Sequence, residues 1–219
     1  MKDLAYHFHI TQPENLIFEL PSYAHFGDKI AFLNLLRSLN PPEYRVNPGA
    51  SGESVETVRL FFDDHRLTHE AVTCIFRGTP EYLDEVYKNK YHLIKSQHNN
   101  HPTNRKLITY SFEARYAREA KIPPYISELL SEFKKLADVV EEGESLGVLK
   151  TTALIQESQL FVGVDNGVSH LCRCTNTPHL ILEHLFDVSR GFPRDFYDYW
   201  KANSLQSAVD IARSILVDR

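Results

Sequence analysis

Residues 161–171, FVGVDNGVSHL, bring together residue types that suit binding of a phosphate-bearing ligand. The apolar run 160–164 predicts a short strand, the turn Asp165-Asn166-Gly167 follows it, and a helix is predicted from Val168 onward. In α/β units the ligand lies at the carboxyl end of a strand, where backbone N–H groups and the dipole of the next helix favour an anion. His170, in the first turn of that helix, adds a hydrogen-bond donor. The segment therefore predicts a diphosphate site.

Strands and helices alternate around this segment. The predicted strands are 15–20, 71–76, 106–112, 137–140, 160–164 and 179–182, and the predicted helices are 29–39, 82–91, 125–136, 149–157 and 204–217. Residues 54–62 fit either a helix or a strand. The polar stretch 96–105, SQHNNHPTNR, has no periodicity. It predicts a boundary between an N-terminal α/β half, residues 1–100, and a C-terminal α/β half, residues 105–219.

Composition narrows the class of protein. The chain has 219 residues, 42% of them apolar, and a net charge of −5, which argues against bulk binding to nucleic acid or to anionic membranes. Its three cysteines, Cys74, Cys172 and Cys174, form no disulfide framework. The N-terminus, MKDLAYHFHI, is too polar for a signal peptide, and no apolar run approaches the roughly 20 residues of a membrane span. We expect a cytoplasmic protein without a membrane span.

Three features follow one another in a familiar order. The predicted strand 15–20 precedes Gly27-Asp28 and a helix; the strand 106–112 precedes the charged loop 113–121, Pro123-Pro124 and a helix; and residues 161–171 come last. This order resembles the ADP-heptose lipopolysaccharide heptosyltransferase family, glycosyltransferase family nine. The resemblance implies a GT-B-like α/β fold, with two small Rossmann-like halves and a cleft between them. It also implies a nucleotide-diphosphate sugar as donor, held by the C-terminal half, with no cofactor and no metal.

The same resemblance assigns roles to individual residues. Asp28 would be the general base that deprotonates the acceptor hydroxyl, and His170 would neutralise charge building on the leaving diphosphate. The implied donor-binding residues are Gly27, Arg115, Lys121, Asp165, Asn166, Gly167 and Ser169. Asp165 would order the turn or His170 rather than touch phosphate, because like charges repel.

Each role has a structural alternative. Asp28 is equally well placed to cap the helix that follows it. Gly27 would also suit a tight turn, and His170 could be satisfied by a backbone carbonyl. The cations Arg115 and Lys121 could instead be solvated at the surface.

The sequence departs from the family pattern at three points. Asn166 stands where Ser or Thr is usual, and Cys172 stands where alanine is usual. The N-terminal half is also much shorter than the acceptor-binding domain of that family. The acceptor is therefore open: a glycan, or, as in some phage glycosyltransferases, a hydroxylated base in DNA. The oligomeric state is open as well.

Other functions compete with this interpretation. A DNA acceptor would use basic residues of the N-terminal half, namely Arg66, Arg77, Lys88, Lys90 and Lys95. A nucleotide-sugar epimerase or hydrolase, or a non-catalytic nucleotide-binding subunit, would share the architecture. His65 and His69 would share a helix face and could bind a metal, although the accompanying glutamate of metalloproteases is missing. A zinc site at His170, Cys172, Cys174 and His179 is disfavoured. Cys172 and Cys174 are two residues apart in a predicted helix, so they point to different faces.

Overall fold

The computed structural model describes residues 2–20, 25–77, 92–94, 106–114, 121–141, 146–185 and 199–217. The predicted helix 82–91, the predicted boundary 96–105 and Arg115 lie outside these ranges. The chain divides into two units, Met1–Lys95 and Ser96–Arg219. Each unit has its own sheet.

The first unit contains a four-stranded sheet with helices. Its elements are α1 (Lys2–His7), β1 (Phe8–Ile10), β2 (Leu16–Glu19), α2 (Phe26–Leu39), β3 (Tyr44–Asn47), α3 (Gly52–Phe61), a 3-10 turn (Asp64–Arg66) and β4 (Cys74–Phe76). The strand order is β1-β4-β2-β3; β2 runs parallel to β3 and to β4, and β1 is antiparallel to β4. The aromatic rings of Phe8, Phe18 and Phe32 pack edge to face in its core.

Helix α2 begins three residues before the predicted start at residue 29. The backbone N–H of His25 donates to the Asp28 carboxylate at 3.0 Å, which caps the first turn and draws Gly27 and Asp28 into the helix. The helix ends at Asn40, whose left-handed backbone (φ 43°) directs its N–H to the Leu36 carbonyl.

The ambiguous segment 54–62 is helical and forms most of α3. The buried residues Ser54, Thr57, Val58 and Phe61 recur at a spacing of three to four, which places them on one helix face. The Thr57 hydroxyl satisfies the carbonyl of Glu53 within the same helix, at 2.6 Å. The helical alternative is therefore the one that occurs.

The second unit contains a five-stranded sheet. Its elements are β5 (Leu107–Ser111), α4 (Ile126–Phe133), β6 (Asp138–Glu141), α5 (Val148–Glu157), β7 (Leu160–Gly163), α6 (Gly167–Cys172), β8 (His179–Leu182), β9 (Trp200–Ala202) and α7 (Leu205–Val217). All its strand pairs are parallel, in the order β6-β5-β7-β8-β9. This order belongs to doubly wound α/β folds, so the predicted α/β class is confirmed.

Helices cover both faces of the second sheet. On one face, Ile108, Val162 and Leu180 pack with Phe133 of α4 and Ala212 of α7. On the other face, α6 lies over Gly163, because successive residues of a strand face opposite sides of the sheet and Gly163 follows Val162. Helix α5 contacts α6. Within the described part of the chain, no helix is long and apolar enough to cross a membrane.

Candidate functional site

The candidate site lies where the second sheet reverses its winding. Strand β5 is flanked by β6 on one side and by β7 on the other. The helix that follows β5 packs on one face of the sheet, and the helix that follows β7 packs on the other. In open α/β sheets such a reversal leaves a crevice at the carboxyl ends of the two strands, and ligands bind there. The predicted turn 165–167 leaves β7 at this point.

Asn166 ties the two strand ends together. Its side-chain Oδ1 accepts the backbone N–H of Ser169 at 2.8 Å, which caps α6. Its Nδ2 donates to the Ser111 carbonyl (3.1 Å), to the Ser111 hydroxyl (3.1 Å) and to the Glu113 carbonyl (2.9 Å). The amide therefore serves the chain itself, fixing the end of β5 against the turn after β7.

Ser169 is also engaged inside the protein. Its side chain is fully buried, and its hydroxyl donates to the Val164 carbonyl at 2.6 Å. This close approach requires glycine at position 163, because a Cβ there would lie 2.2 Å from the Ser169 hydroxyl and 2.9 Å from the Phe161 ring. Gly163 thus sets the distance between β7 and α6, and with it the position of the turn.

We expect Gly163→Ala to destabilise the protein by about 1–3 kcal/mol, the usual cost of overpacking a close contact. Neither obstacle is the free end of a flexible chain, since the Ser169 hydroxyl is hydrogen-bonded and the Phe161 ring is buried. Gly52→Ala is the matched control, because a Cβ at Gly52 meets no atom within 4 Å. Thermal unfolding followed by circular dichroism measures both variants. Equal melting temperatures for the two would contradict this account of Gly163.

A buried cluster of charged side chains lies beside the turn. The Asp165 carboxylate contacts the Lys121 ammonium at 3.0 Å through Oδ2 and the His170 Nε2 at 3.3 Å through Oδ1. Lys121 also donates to the Asp165 carbonyl at 2.8 Å. The three side chains are 11%, 12% and 5% exposed for Lys121, Asp165 and His170, so water screens their charges poorly.

The cluster keeps Asp165 ionised. Burial acts to raise the pKa of the carboxyl, but the hydrogen bond and charge of His170 and those of Lys121 outweigh it and lower that pKa below its ordinary value. Behind the cluster, burial and the charges of Arg173 and His170 hold the pKa of His179 well below its ordinary value, so that imidazole is neutral. The site thus combines one fixed carboxylate with one cation and one titratable donor.

The remaining predicted residues belong to two different elements. Gly27 and Asp28 are in the first turn of α2 in the first unit, where Gly27 is buried and Asp28 is half-buried. Gly167 is the first residue of α6. Lys29, next to Asp28, is buried and paired with Glu53 at 2.7 Å.

The metal alternatives find no support in the described ranges. Asp64–Arg66 is a 3-10 turn that ends before His69, so His65 and His69 do not share a helix face. Among the residues that the structure describes, no three His, Cys, Asp or Glu side chains form a metal-binding group.

Sequence reasoning missed Ser111, Glu113 and Gly163. The first two act through the amide of Asn166, a contact that depends on the register placing Ser111 opposite Gly163. A usable signal for Gly163 was present, since it is a lone glycine near the end of a buried apolar strand, which often marks close backbone approach.

Comparison with known proteins shows the fold. No protein-family model matches the sequence, and neither does any curated protein. The dodecameric iron-containing heptosyltransferase TibC in complex with ADP-D-beta-D-heptose aligns over 90% of this chain and 64% of its own, with 13% identity and a TM-score of 0.64. TibC from enterotoxigenic E. coli H10407, a bacterial iron-containing dodecameric glycosyltransferase, aligns over 87% and 64%, with 12% identity and a TM-score of 0.63. The E. coli ADP-heptose lps heptosyltransferase II aligns over 89% and 75%, with 12% identity and a TM-score of 0.43.

At this level of identity the likeness establishes the architecture. The chain has the α/β fold of GT-B glycosyltransferases, with two Rossmann-like halves, and this prediction from the sequence is confirmed. TibC is described as a heptosyltransferase, the group that the order of sequence motifs resembles. The chain spans 64% of the length of TibC.

Proposed function

We propose that this chain is a glycosyltransferase that moves a sugar from a nucleotide-diphosphate sugar to an acceptor hydroxyl. The observation that carries the proposal is the buried Lys121–Asp165–His170 cluster at the winding reversal of the second sheet. The fold adds support, since TibC, which shares it, has been solved with ADP-D-beta-D-heptose.

The cluster needs additional positive charge to bind a diphosphate. Lys121 and Asp165 cancel, so the three side chains sum to zero with a neutral imidazole and to plus one with a protonated imidazole. Binding a diphosphate would therefore favour protonation of His170 or recruit a further cation. We propose Arg115, four residues after the end of β5 in the sequence, as that cation, because a guanidinium forms two parallel hydrogen bonds with phosphate oxygens.

Asn166 and Ser169 have a supporting part in this proposal. Their side chains hold the end of β5, the turn and α6 together, so they orient the donor site instead of touching phosphate. Gly167, which has no side chain, leaves room for the donor beside the turn.

The transfer itself would use Asp28 and His170. Asp28 accepts the proton of the acceptor hydroxyl as that oxygen forms a bond to the anomeric carbon of the sugar. The bond from the anomeric carbon to the diphosphate oxygen breaks, and the nucleoside diphosphate leaves with the electron pair. His170 and Arg115 neutralise the charge that grows on it. In the cap of α2, the backbone N–H of His25 is bound by Oδ2 of Asp28.

A panel of ADP-, UDP- and GDP-sugars tests the proposal. A donor at 100 times its Kd should stabilise the protein by about 2.7 kcal/mol, which a thermal-shift assay detects. Product analysis with and without glycan acceptors and hydroxymethylated DNA then identifies the reaction. Turnover of the donor without any acceptor would favour a hydrolase or epimerase, and binding without turnover would favour a nucleotide-binding subunit. A panel that gives no shift would contradict the donor site.

A further inference from the structure

A polar pocket lies in the first unit, at the amino ends of its parallel strands. Its volume is about 350 Å³, and its walls include Arg37, Tyr44, Phe62, His65, Arg66 and His92. Tyr44 is the first residue of β3, Arg37 is in the last turn of α2, and the 3-10 turn supplies His65 and Arg66. Four cationic or titratable nitrogen groups therefore converge on one concave surface.

The two guanidinium groups are held in place by backbone carbonyls. Arg37 donates to the Leu93 carbonyl at 2.7 Å, and Arg66 donates to the Tyr44 carbonyl at 2.8 Å. The Arg66 guanidinium also lies over the Tyr44 ring, 4.6 Å from its centroid. Each carbonyl contact uses one of five N–H donors, so both groups are oriented and retain donors for a ligand.

No carboxylate within the described ranges forms an ion pair with Arg37 or Arg66. Two other arginines of the same unit are neutralised: Arg45 pairs with Glu70, and Arg59 pairs with Asp64. The charges of Arg37 and Arg66 act on Tyr44, which lines the pocket. Burial, the larger effect, raises the pKa of the Tyr44 phenol, while the charges of Arg66 and Arg37 act to lower it.

The charged side chains that line the pocket sum to plus one before the imidazoles and the helix ends are counted. Asp63 contributes one carboxylate to the lining, against two guanidinium groups. Helices α2 and α3 both end here, and each helix end carries roughly half a negative charge that falls off within its last turn and is screened by salt. Arg37 offsets the end of α2 directly, because it lies in that last turn. Arg66, outside either helix, supplies the attraction for an anion.

The pocket is separate from the proposed catalytic residue. Asp28 lies at the start of α2, and Arg37 lies nine residues later on the same helix. At 1.5 Å per residue the two are about 13.5 Å apart along the helix axis, at opposite ends of the strands. The pocket therefore does not include the residue proposed to activate the acceptor hydroxyl.

We propose that this pocket is a second ligand site that binds the terminal phosphate of a small phosphomonoester. Guanidinium forks match the oxygens of a phosphate dianion, and the Tyr44 hydroxyl supplies a further donor. His92 is fixed in the wall of the pocket, because its backbone N–H donates to the Asn34 side chain (2.7 Å) and its Nε2 contacts the Ser38 hydroxyl (3.0 Å). A concave pocket of this volume fits a small molecule, whereas duplex DNA needs an extended basic surface, which the net charge of −5 opposes.

Isothermal titration with phenyl phosphate, and separately with inorganic phosphate, tests the proposal. We expect saturable binding to the wild-type chain and a Kd at least about tenfold higher for Arg66→Gln, because hydrogen bonds to charged groups are among the strongest. Tyr44→Phe, which keeps the ring under Arg66, should raise the Kd by a smaller factor. Arg45→Gln is the matched control, since Arg45 is paired with Glu70 and does not line the pocket.

Two further arms distinguish this site from the alternatives. The variant Arg115→Gln/His170→Gln removes the two groups proposed to supply positive charge to the donor diphosphate and should bind phenyl phosphate as the wild type does. Loss of binding in that variant, together with unchanged binding in Arg66→Gln and Tyr44→Phe, would assign the probe to the donor site and overturn the proposal. Tight binding of duplex DNA that depends on Arg66, with no binding of phenyl phosphate, would overturn it in favour of a nucleic-acid surface.

Discussion

Asp28→Asn should lower kcat by about 100- to 10,000-fold, the range that a positioned general base contributes, and should leave donor affinity nearly unchanged. The amide cannot accept the proton of the acceptor hydroxyl, so the attacking oxygen stays protonated. Binding of the nucleotide sugar is proposed for the second unit, which the substitution does not touch. The expected pattern is therefore a loss in kcat at saturating donor, measured with the donor and acceptor that the panel identifies.

The same residue also caps α2, and the two roles separate by choice of variant. Asparagine keeps a side-chain oxygen that can accept the His25 N–H, so Asp28→Asn should unfold close to the wild-type temperature. Asp28→Ala removes that acceptor and should cost about 1 kcal/mol of stability as well as activity. Near wild-type turnover in Asp28→Asn, with a stability loss confined to Asp28→Ala, would show that Asp28 is a cap and not the base.

A second carboxylate of the first unit, Asp64, supplies the control for general charge effects. The Asp64 side chain is 77% exposed and forms a surface ion pair with Arg59. Asp64→Asn changes the net charge by the same amount as Asp28→Asn and should leave kcat within about twofold, since surface pairs contribute little. Loss of activity in both variants would point to the overall charge of the unit.

The centre of the second sheet was predictable because all four residues of β7 and all four residues of β8 are buried. A buried parallel strand is a continuous apolar run, and His179–Leu182 is such a run, whose observed bounds equal the predicted ones. Strand β9, Trp200–Ala202, was missed because its two exposed residues and one buried residue form too short a pattern to detect. Strand β3, Tyr44–Asn47, was missed for the same reason, since it has four residues of alternating burial.

The candidate site was predictable only where its contacts are local. Asp165 and His170 are five residues apart, so strand–turn–helix geometry brings them together without further information. Lys121 reaches Asp165 across 44 residues, a contact that depends on the pairing of β5 with β7. The sequence suggested Lys121 through the family resemblance, whereas its partner became visible only in the folded chain. The capping amide of Asn166 likewise depends on strand register.

Lys121→Gln should lower the free energy of unfolding by about 3 kcal/mol, because removing one partner of a buried ion pair leaves an uncompensated charge. Breaking a buried ion pair costs about 3–5 kcal/mol, and the expected loss lies at the lower end because Asp165 keeps His170 as a partner. Adding Asp165→Asn removes the stranded charge, so the double variant should recover at least half of the loss. Urea unfolding followed by fluorescence measures this, since the single tryptophan of the chain, Trp200, lies in β9 of the same sheet.

The pH dependence of that loss has a definite sign. In the wild type the pKa of Asp165 lies below its ordinary value of 3.8, so its contribution to stability is present above that pH and is lost as pH falls through the lowered pKa. Removing Lys121 takes away one of the charges that lower the pKa, so Asp165 in Lys121→Gln should take up its proton at a higher pH.

Protonation of Asp165 relieves the stranded charge in the variant, while in the wild type it breaks the ion pair. The gap in stability should therefore be largest near neutral pH and narrow steadily below about pH 5. A gap that stays constant down to pH 3, or a double variant no more stable than Lys121→Gln, would mean that Lys121 and Asp165 do not act as a pair.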